Sequence, residues 1–260
     1  MIAGAEAWKE LRRTIAEPSR TLKVFDRRYR SYLALRLRYG QAPMVDGRRR
    51  YRSYRHYVAH QRSKLTTLDL TGYDVTFRRD LAERLRTIDV DWSAQSVLCL
   101  AARIGTEVRA FRDLGAFAVG IDLNPGPANP LVLHGDFHDL PFADGSVDVV
   151  YCNSLDHALD LHRLVSEAHR VLRQGGLFIA EAIKGAREGT GEFGSWEARS
   201  WDYVDDLVAP LEAGGYALRA TDDFESPWRG RRFVLERTEL ATEPSRPEDL
   251  EGPPSPRPSR

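Results

Sequence analysis

Asp122, the pair Asp136–Phe137, the pair Asn153–Ser154 and the pair Asp156–His157 each come directly after a short apolar run. A carboxylate at the end of such a run, 17 residues after Gly105, stands where ribose hydroxyls are bonded, with Leu123 beside it. An acid next to an aromatic, as in Asp136–Phe137, suits an adenine: the carboxylate receives the amino group and the ring covers a face. Asn153 and Ser154 offer an amide and a hydroxyl that either contact a ligand or cap the next helix. His157 is a candidate general base, because an imidazole titrates near neutrality; its other reading is structural duty at a helix start. Ahead of these, Ala101, Arg103 and Gly105 form a loop before a helix. Gly105 lets backbone come close to a ligand. Arg103, with the N–H groups of the helix start, would receive a carboxylate; its alternative is to face solvent or pair with Glu107.

These residues need strands that end side by side. Short apolar runs at Val97–Leu100, Ala118–Ile121, Val132–His134, Val147–Cys152 and Leu177–Glu181 alternate with helical patterns at Glu107–Leu114, Leu159–Leu172 and Tyr203–Ala213. That alternation predicts an α/β fold, a doubly wound, mostly parallel sheet that binds ligands outside its carboxyl edge. Tyr216–Ala220 and Arg232–Glu236 are joined by a loop and predict a closing antiparallel hairpin. A helix is expected from about Thr76, with Phe77, Leu81, Leu85 and Ile88 on one face. Trp196 and Trp201 either stack on a substrate or anchor a loop in the core.

Charge divides the chain. The first 90 residues hold 21 Lys/Arg against 10 Asp/Glu, and the remainder 17 against 28. The expected organisation is a basic helical N-terminal extension over 1–66, a catalytic-type domain over 67–240 and a disordered tail over 241–260, which has too little apolar surface to order itself. Met44–Arg50, punctuated by Pro43 and Gly47, reads as a turn between helical pieces. Cys99 and Cys152 sit in strand-like runs as buried thiols and support neither a disulfide framework nor a zinc site; no metal is expected. No apolar run is long enough to span a bilayer, and the N-terminus lacks a secretory pattern, so the expected location is cytoplasmic.

Four segments in order, VLCLAARIG, AVGIDLNP, GDFHDLPFADGSVDVVYCNSLDH and RVLRQGGLFIAEA, resemble the class I, seven-stranded, Rossmann-like S-adenosylmethionine-dependent methyltransferases. The resemblance covers roughly Phe77 to Arg237. It implies a sheet order of 3-2-1-4-5-7-6 with the last strand antiparallel, S-adenosyl-L-methionine as cofactor, and a cofactor site at Ala101, Arg103, Gly105, Asp122, Leu123, Asp136, Phe137, Asn153 and Ser154. The first loop departs from the family pattern VLDLGCGTG: Cys99 replaces the acid, Ala101 the first glycine and Arg103 the second. Lost glycines count against a dinucleotide, whose pyrophosphate needs close backbone approach. The expected activity is methyl transfer to a small-molecule acceptor, with His157 as catalytic candidate and the extension as a lid or acceptor-side cap. The alternative is a non-catalytic cofactor-binding module that meets a nucleic acid, a membrane surface or a protein through its Arg- and Tyr-rich arm.

Overall fold

The structure, a computed structural model, describes residues 43–64, 71–189 and 196–239 together with Arg30, Ala34 and Gly194. The tail expected over 241–260 and most of the extension over 1–66 lie outside the described residues. In the segment 43–64, β1 (Met44–Val45) pairs antiparallel with β2 (Arg48–Arg49). The turn read from Pro43 and Gly47 is present, with Asp46 and Gly47 at φ of 50° and 68°, but its arms pair as strands and helix follows on one side. That helix, α1 (Tyr54–Ser63), begins where the Ser53 hydroxyl accepts the His56 N–H. Helix α2 (Thr71–Leu85) buries Phe77, Leu81 and Leu85 at the predicted spacing.

The sheet is built from β3 (Ser96–Leu100), β4 (Phe117–Asp122), β5 (Val132–His134), β6 (Val147–Cys152), β7 (Leu172–Ile183), β8 (Tyr216–Phe224) and β9 (Gly230–Arg237). Helix α3 (Thr106–Asp113) joins β3 to β4, α4 (Leu161–Val171) joins β6 to β7, and α5 (Val208–Ala213) precedes β8. The order is β5-β4-β3-β6-β7-β9-β8, which is 3-2-1-4-5-7-6 when these seven strands are counted alone. The first five run parallel and β9 lies antiparallel to both neighbours, as expected.

Side-chain alternation sends the strands' residues into two apolar layers. Leu98, Leu100, Val150 and Phe178 meet Leu161, Leu164, Val165 and Ala168 of α4. On the other face Val97, Cys99, Val149 and Tyr151 meet Phe77, Leu81 and Leu85 of α2 and Phe111 of α3. Both cysteines are free and buried. Two elements differ from the sequence reading. Strand β7 starts at Leu172, not Leu177, because Leu172 already pairs with Val147 before the register shifts over Arg173–Gly176. The helix read over Tyr203–Ala213 is a 3-10 turn, Val204–Leu207, running into α5.

Candidate functional site

All parallel strands end on one edge, so the loops after β3, β4, β5 and β6 face a common space. The loop after β3 keeps the backbone that glycines would give without their freedom. Ala101 and Arg103 have φ of 53° and 45°, left-handed values that cost an L-residue roughly 1–2 kcal/mol each. Gly105, at φ 86°, opens α3, and a Cβ there would meet Leu131 at 3.1 Å. The loop is stitched to β4: the Ala102 N–H donates to Ile121 O at 3.1 Å, and the Arg103 N–H to Asp122 Oδ2 at 2.9 Å. Asp122 Oδ1 accepts the Asn124 N–H at 2.7 Å. Burial raises the Asp122 carboxyl against these hydrogen bonds. Each oxygen has spent one acceptor direction on backbone and keeps another for a ligand hydroxyl.

Arg103 lies over the Tyr73 ring at 5.6 Å and faces Glu107, whose charge favours the guanidinium. Glu107 is buried at the start of α3, and burial lifts its carboxyl to about 7. Asn153 donates to Glu107 Oε1 at 3.0 Å, so it stands behind the cavity wall, while Ser154 is in it. After β5, Gly135 and Phe137 line the cavity. The Asp136 carboxylate turns aside: Oδ1 accepts the His138 N–H at 2.9 Å and Oδ2 the Tyr54 hydroxyl of α1.

Helix α1 closes the other side; the sequence reading expected its Arg- and Tyr-rich arm to serve as a lid or cap but did not name Gln61 or Lys64. The Tyr57 hydroxyl donates to His157 O at 3.0 Å, Gln61 Nε2 to Trp196 O at 2.8 Å, and Asn124 Nδ2 to Arg62 O at 2.7 Å. Trp196 stacks on His60 at 4.8 Å, and Trp201 donates its indole N–H to Ile183 O at 2.9 Å, so both tryptophans anchor structure. Lys64, at the end of α1, reaches His157 Nε2 at 2.8 Å. His157 Nδ1 lies 3.1 Å from Trp196 O, which assigns the Nδ1–H tautomer and leaves Nε2 as an acceptor. Burial, with the Lys64 charge beside it, pushes His157 down to about 3. Burial and the Arg103 charge bring Lys64 down to about 8. Asp156, His157 and Glu197 each bring a donor atom within 4.8 Å of the others, a spacing a cation would suit. In this structure His157 Nε2 of that trio accepts from the Lys64 ammonium.

Between these walls is a partly open cavity at the carboxyl edge of the sheet. Of the sequence candidates, Ala101, Arg103, Asp122, Leu123, Phe137, Ser154 and His157 line it. Gly105, Asp136 and Asn153 lie beside it. Tyr57, Gln61 and Lys64 complete it from α1, with Ile121 and Asn124 from the second strand's end. The residues fit S-adenosyl-L-methionine: Asp122 retains acceptor capacity for a diol, Ile121, Leu123 and Phe137 are apolar partners for a flat ring, and Arg103 is a cation for a carboxylate.

Comparison with known proteins agrees with the fold. Residues 98–180 match the family described as methyltransferase domain. A stretch of 93 residues is 33% identical to malonyl-[acyl-carrier protein] O-methyltransferase 1 of Coxiella burnetii, covering 34% of this chain; the match spans about a third, 33%, of that relative's length. In three dimensions the chain resembles an S-adenosylmethionine-dependent methyltransferase of Thermotoga maritima with a TM-score of 0.51 at 12% identity, over 65% of this chain and 93% of that one. Residues 98–180 thus carry the match to a methyltransferase domain, on a seven-stranded sheet whose strand order is 3-2-1-4-5-7-6. No helix among the described residues is long and apolar enough to cross a membrane.

Proposed function

We propose that this chain is an S-adenosylmethionine-dependent methyltransferase acting on a small-molecule acceptor, with the cofactor held between the strand-end loops and α1. The observation that carries this reading is the cavity at the carboxyl edge of β3–β6, which has the Asp122 carboxylate in one wall and a helix of the N-terminal arm as the other. Bound there, the cofactor supplies an electrophilic methyl group on a cationic sulfur. Asp122 accepts the ribose hydroxyls, held for that task by the Arg103 and Asn124 N–H groups. Phe137, Leu123 and Ile121 bracket the adenine. Asp136 stands ready at that end once its contact with Tyr54 yields. Arg103 faces the cofactor's carboxylate, with Glu107 balancing its charge. Ser154 and His157 stand on the acceptor side, and α1 excludes water from the transfer, so that alignment supplies most of the rate.

The arm's role as a wall is supported by what its aromatics do. Tyr54 and Tyr57 spend their hydroxyls on Asp136 and His157, and Tyr51 its hydroxyl on His60. A base-stacking surface for nucleic acid would need such rings exposed; among the three, Tyr54 alone is exposed. The test is calorimetric titration of the wild type and Asp122→Ala with S-adenosylmethionine and S-adenosylhomocysteine. Micromolar binding, weakened at least about tenfold in the variant by loss of charge-assisted hydrogen bonds, is the expected result. A folded wild type that binds neither ligand returns the chain to the interaction-module reading.

A further inference from the structure

We propose that Lys64 is the group that takes the acceptor's proton, with His157 as the positioning residue that holds its amine in the cavity. This assignment rests on the cofactor reading above. Lys64 lies at the end of α1, lines the cavity, and places Nζ 2.8 Å from His157 Nε2. The imidazole is fixed from its far side by Trp196 O. It therefore presents a lone pair to the lysine and has no second acceptor for an incoming proton.

The groups facing Lys64 come from four separate elements. Arg103 follows β3, Asp122 ends β4, Asp156 and His157 form the 3-10 turn after β6, and Glu197 lies in the loop before α5. One cation and three acids around a buried ammonium make its charge conditional rather than fixed. Of the two bases in contact, His157 at about 3 stays neutral throughout the working range and is too weak to take a proton from a hydroxyl or amine. Lys64 at about 8 is poised near neutrality. Lysine is also a sparing choice here, one of four among 38 basic residues, and it is the basic side chain that burial can neutralise.

The cofactor's sulfonium adds a like charge to the same cavity. A unit charge held about 6–10 Å from the ammonium lowers its pKa by about one to two units at the effective dielectric of a protein site. The bound amine is then largely neutral and its former proton is in solvent. In the transfer, the acceptor heteroatom's lone pair forms the bond to the methyl carbon and the carbon–sulfur pair goes to sulfur. The heteroatom's proton passes to the Lys64 lone pair. Uncharged thioether and lysine ammonium result, and the loss of the positive sulfur is what makes the ammonium acceptable again.

This predicts linked proton release that needs no acceptor to observe. Calorimetric titrations at pH 7.5, in phosphate and in Tris, give the protons released on binding S-adenosylmethionine and S-adenosylhomocysteine. The wild type should release roughly two thirds of a proton more with the sulfonium ligand than with the thioether, and Lys64→Met should lose that excess while still binding the thioether. Glu107, held near 7, also releases protons to a positive charge, and the difference between wild type and Lys64→Met separates its share. Equal release by the two ligands in the wild type, or the same excess in Lys64→Met, overturns the assignment. Binding of neither ligand removes the cofactor reading, and this assignment with it.

Discussion

Two helices outside the sheet each send a basic side chain to its carboxyl edge, and the two are built for opposite ends. Arg84 of α2 forks onto Glu181 near the end of β7, with Nε at 2.7 Å from Oε1 and Nη2 at 2.8 Å from Oε2. The Tyr151 hydroxyl donates to the same carboxylate at 2.9 Å, Ser226 O accepts from Nη1 at 2.9 Å, and the guanidinium lies 4.2 Å from the Phe224 ring centroid. Every part of that pair is satisfied, and arginine does not deprotonate in a protein. Lys64 of α1 instead meets a neutral imidazole among mixed charges. The first contact is a fixed charge that ties a helix to the core. The second is a charge whose state depends on what enters the cavity.

The largest effect that would break this contrast is on stability. Glu181→Gln leaves Arg84 buried without its counter-charge and should cost about 3–5 kcal/mol in urea unfolding; a loss under ~1 kcal/mol would make the pair dispensable. Lys64→Met goes the other way. A base whose folded pKa is near 8 and whose unfolded value is 10.5 holds its proton less well in the native state. Its penalty is full below pH 8 and fades as pH rises to 10.5, so stability should climb with pH across that window. Lys64→Met should gain about 1–3 kcal/mol at pH 7 and lose that climb.

Two histidines, His60 and His157, act in the acid range. His60 and His157 are both held near 3 by burial, so the unfolded chain binds protons that the native one refuses. Stability should fall as pH drops below about 6.5, with a slope approaching about 1.4 kcal/mol per pH unit per histidine. His60→Phe should remove one histidine's share of that slope in acid titrations followed by circular dichroism. The smallest expected effect is at Arg103→Gly. Relief of a left-handed φ offsets the glycine's added chain entropy, giving a net change within ~1 kcal/mol. Affinity for S-adenosylhomocysteine should nevertheless fall several-fold if the guanidinium meets the carboxylate.

The legible part of this molecule is what local pattern controls. Apolar runs and their spacing predicted the sheet and the residues at its strand ends, so Asp122, Phe137, Ser154 and His157 stand in the cavity wall. What pattern does not carry is which way a side chain turns and what arrives from far along the chain. Asp136 and Asn153 follow the predicted strands but give their polar atoms to Tyr54 and Glu107, partners 82 and 46 residues away. Lys64 meets His157 across 93 residues and has no neighbouring motif to announce it. The early start of β7 is hidden because Arg173–Gly176 has no apolar residue to mark a strand and lies in a register shift.

Amide hydrogen exchange of the whole chain with and without S-adenosylhomocysteine tests the central claim, that strand-end loops and the arm's helix share one cofactor. The account predicts slower exchange in both walls together, at Ala102–Thr106 and Asp122–Asn124 and along Tyr54–Lys64. Protection confined to the loops, with α1 exchanging as freely as before, would contradict it.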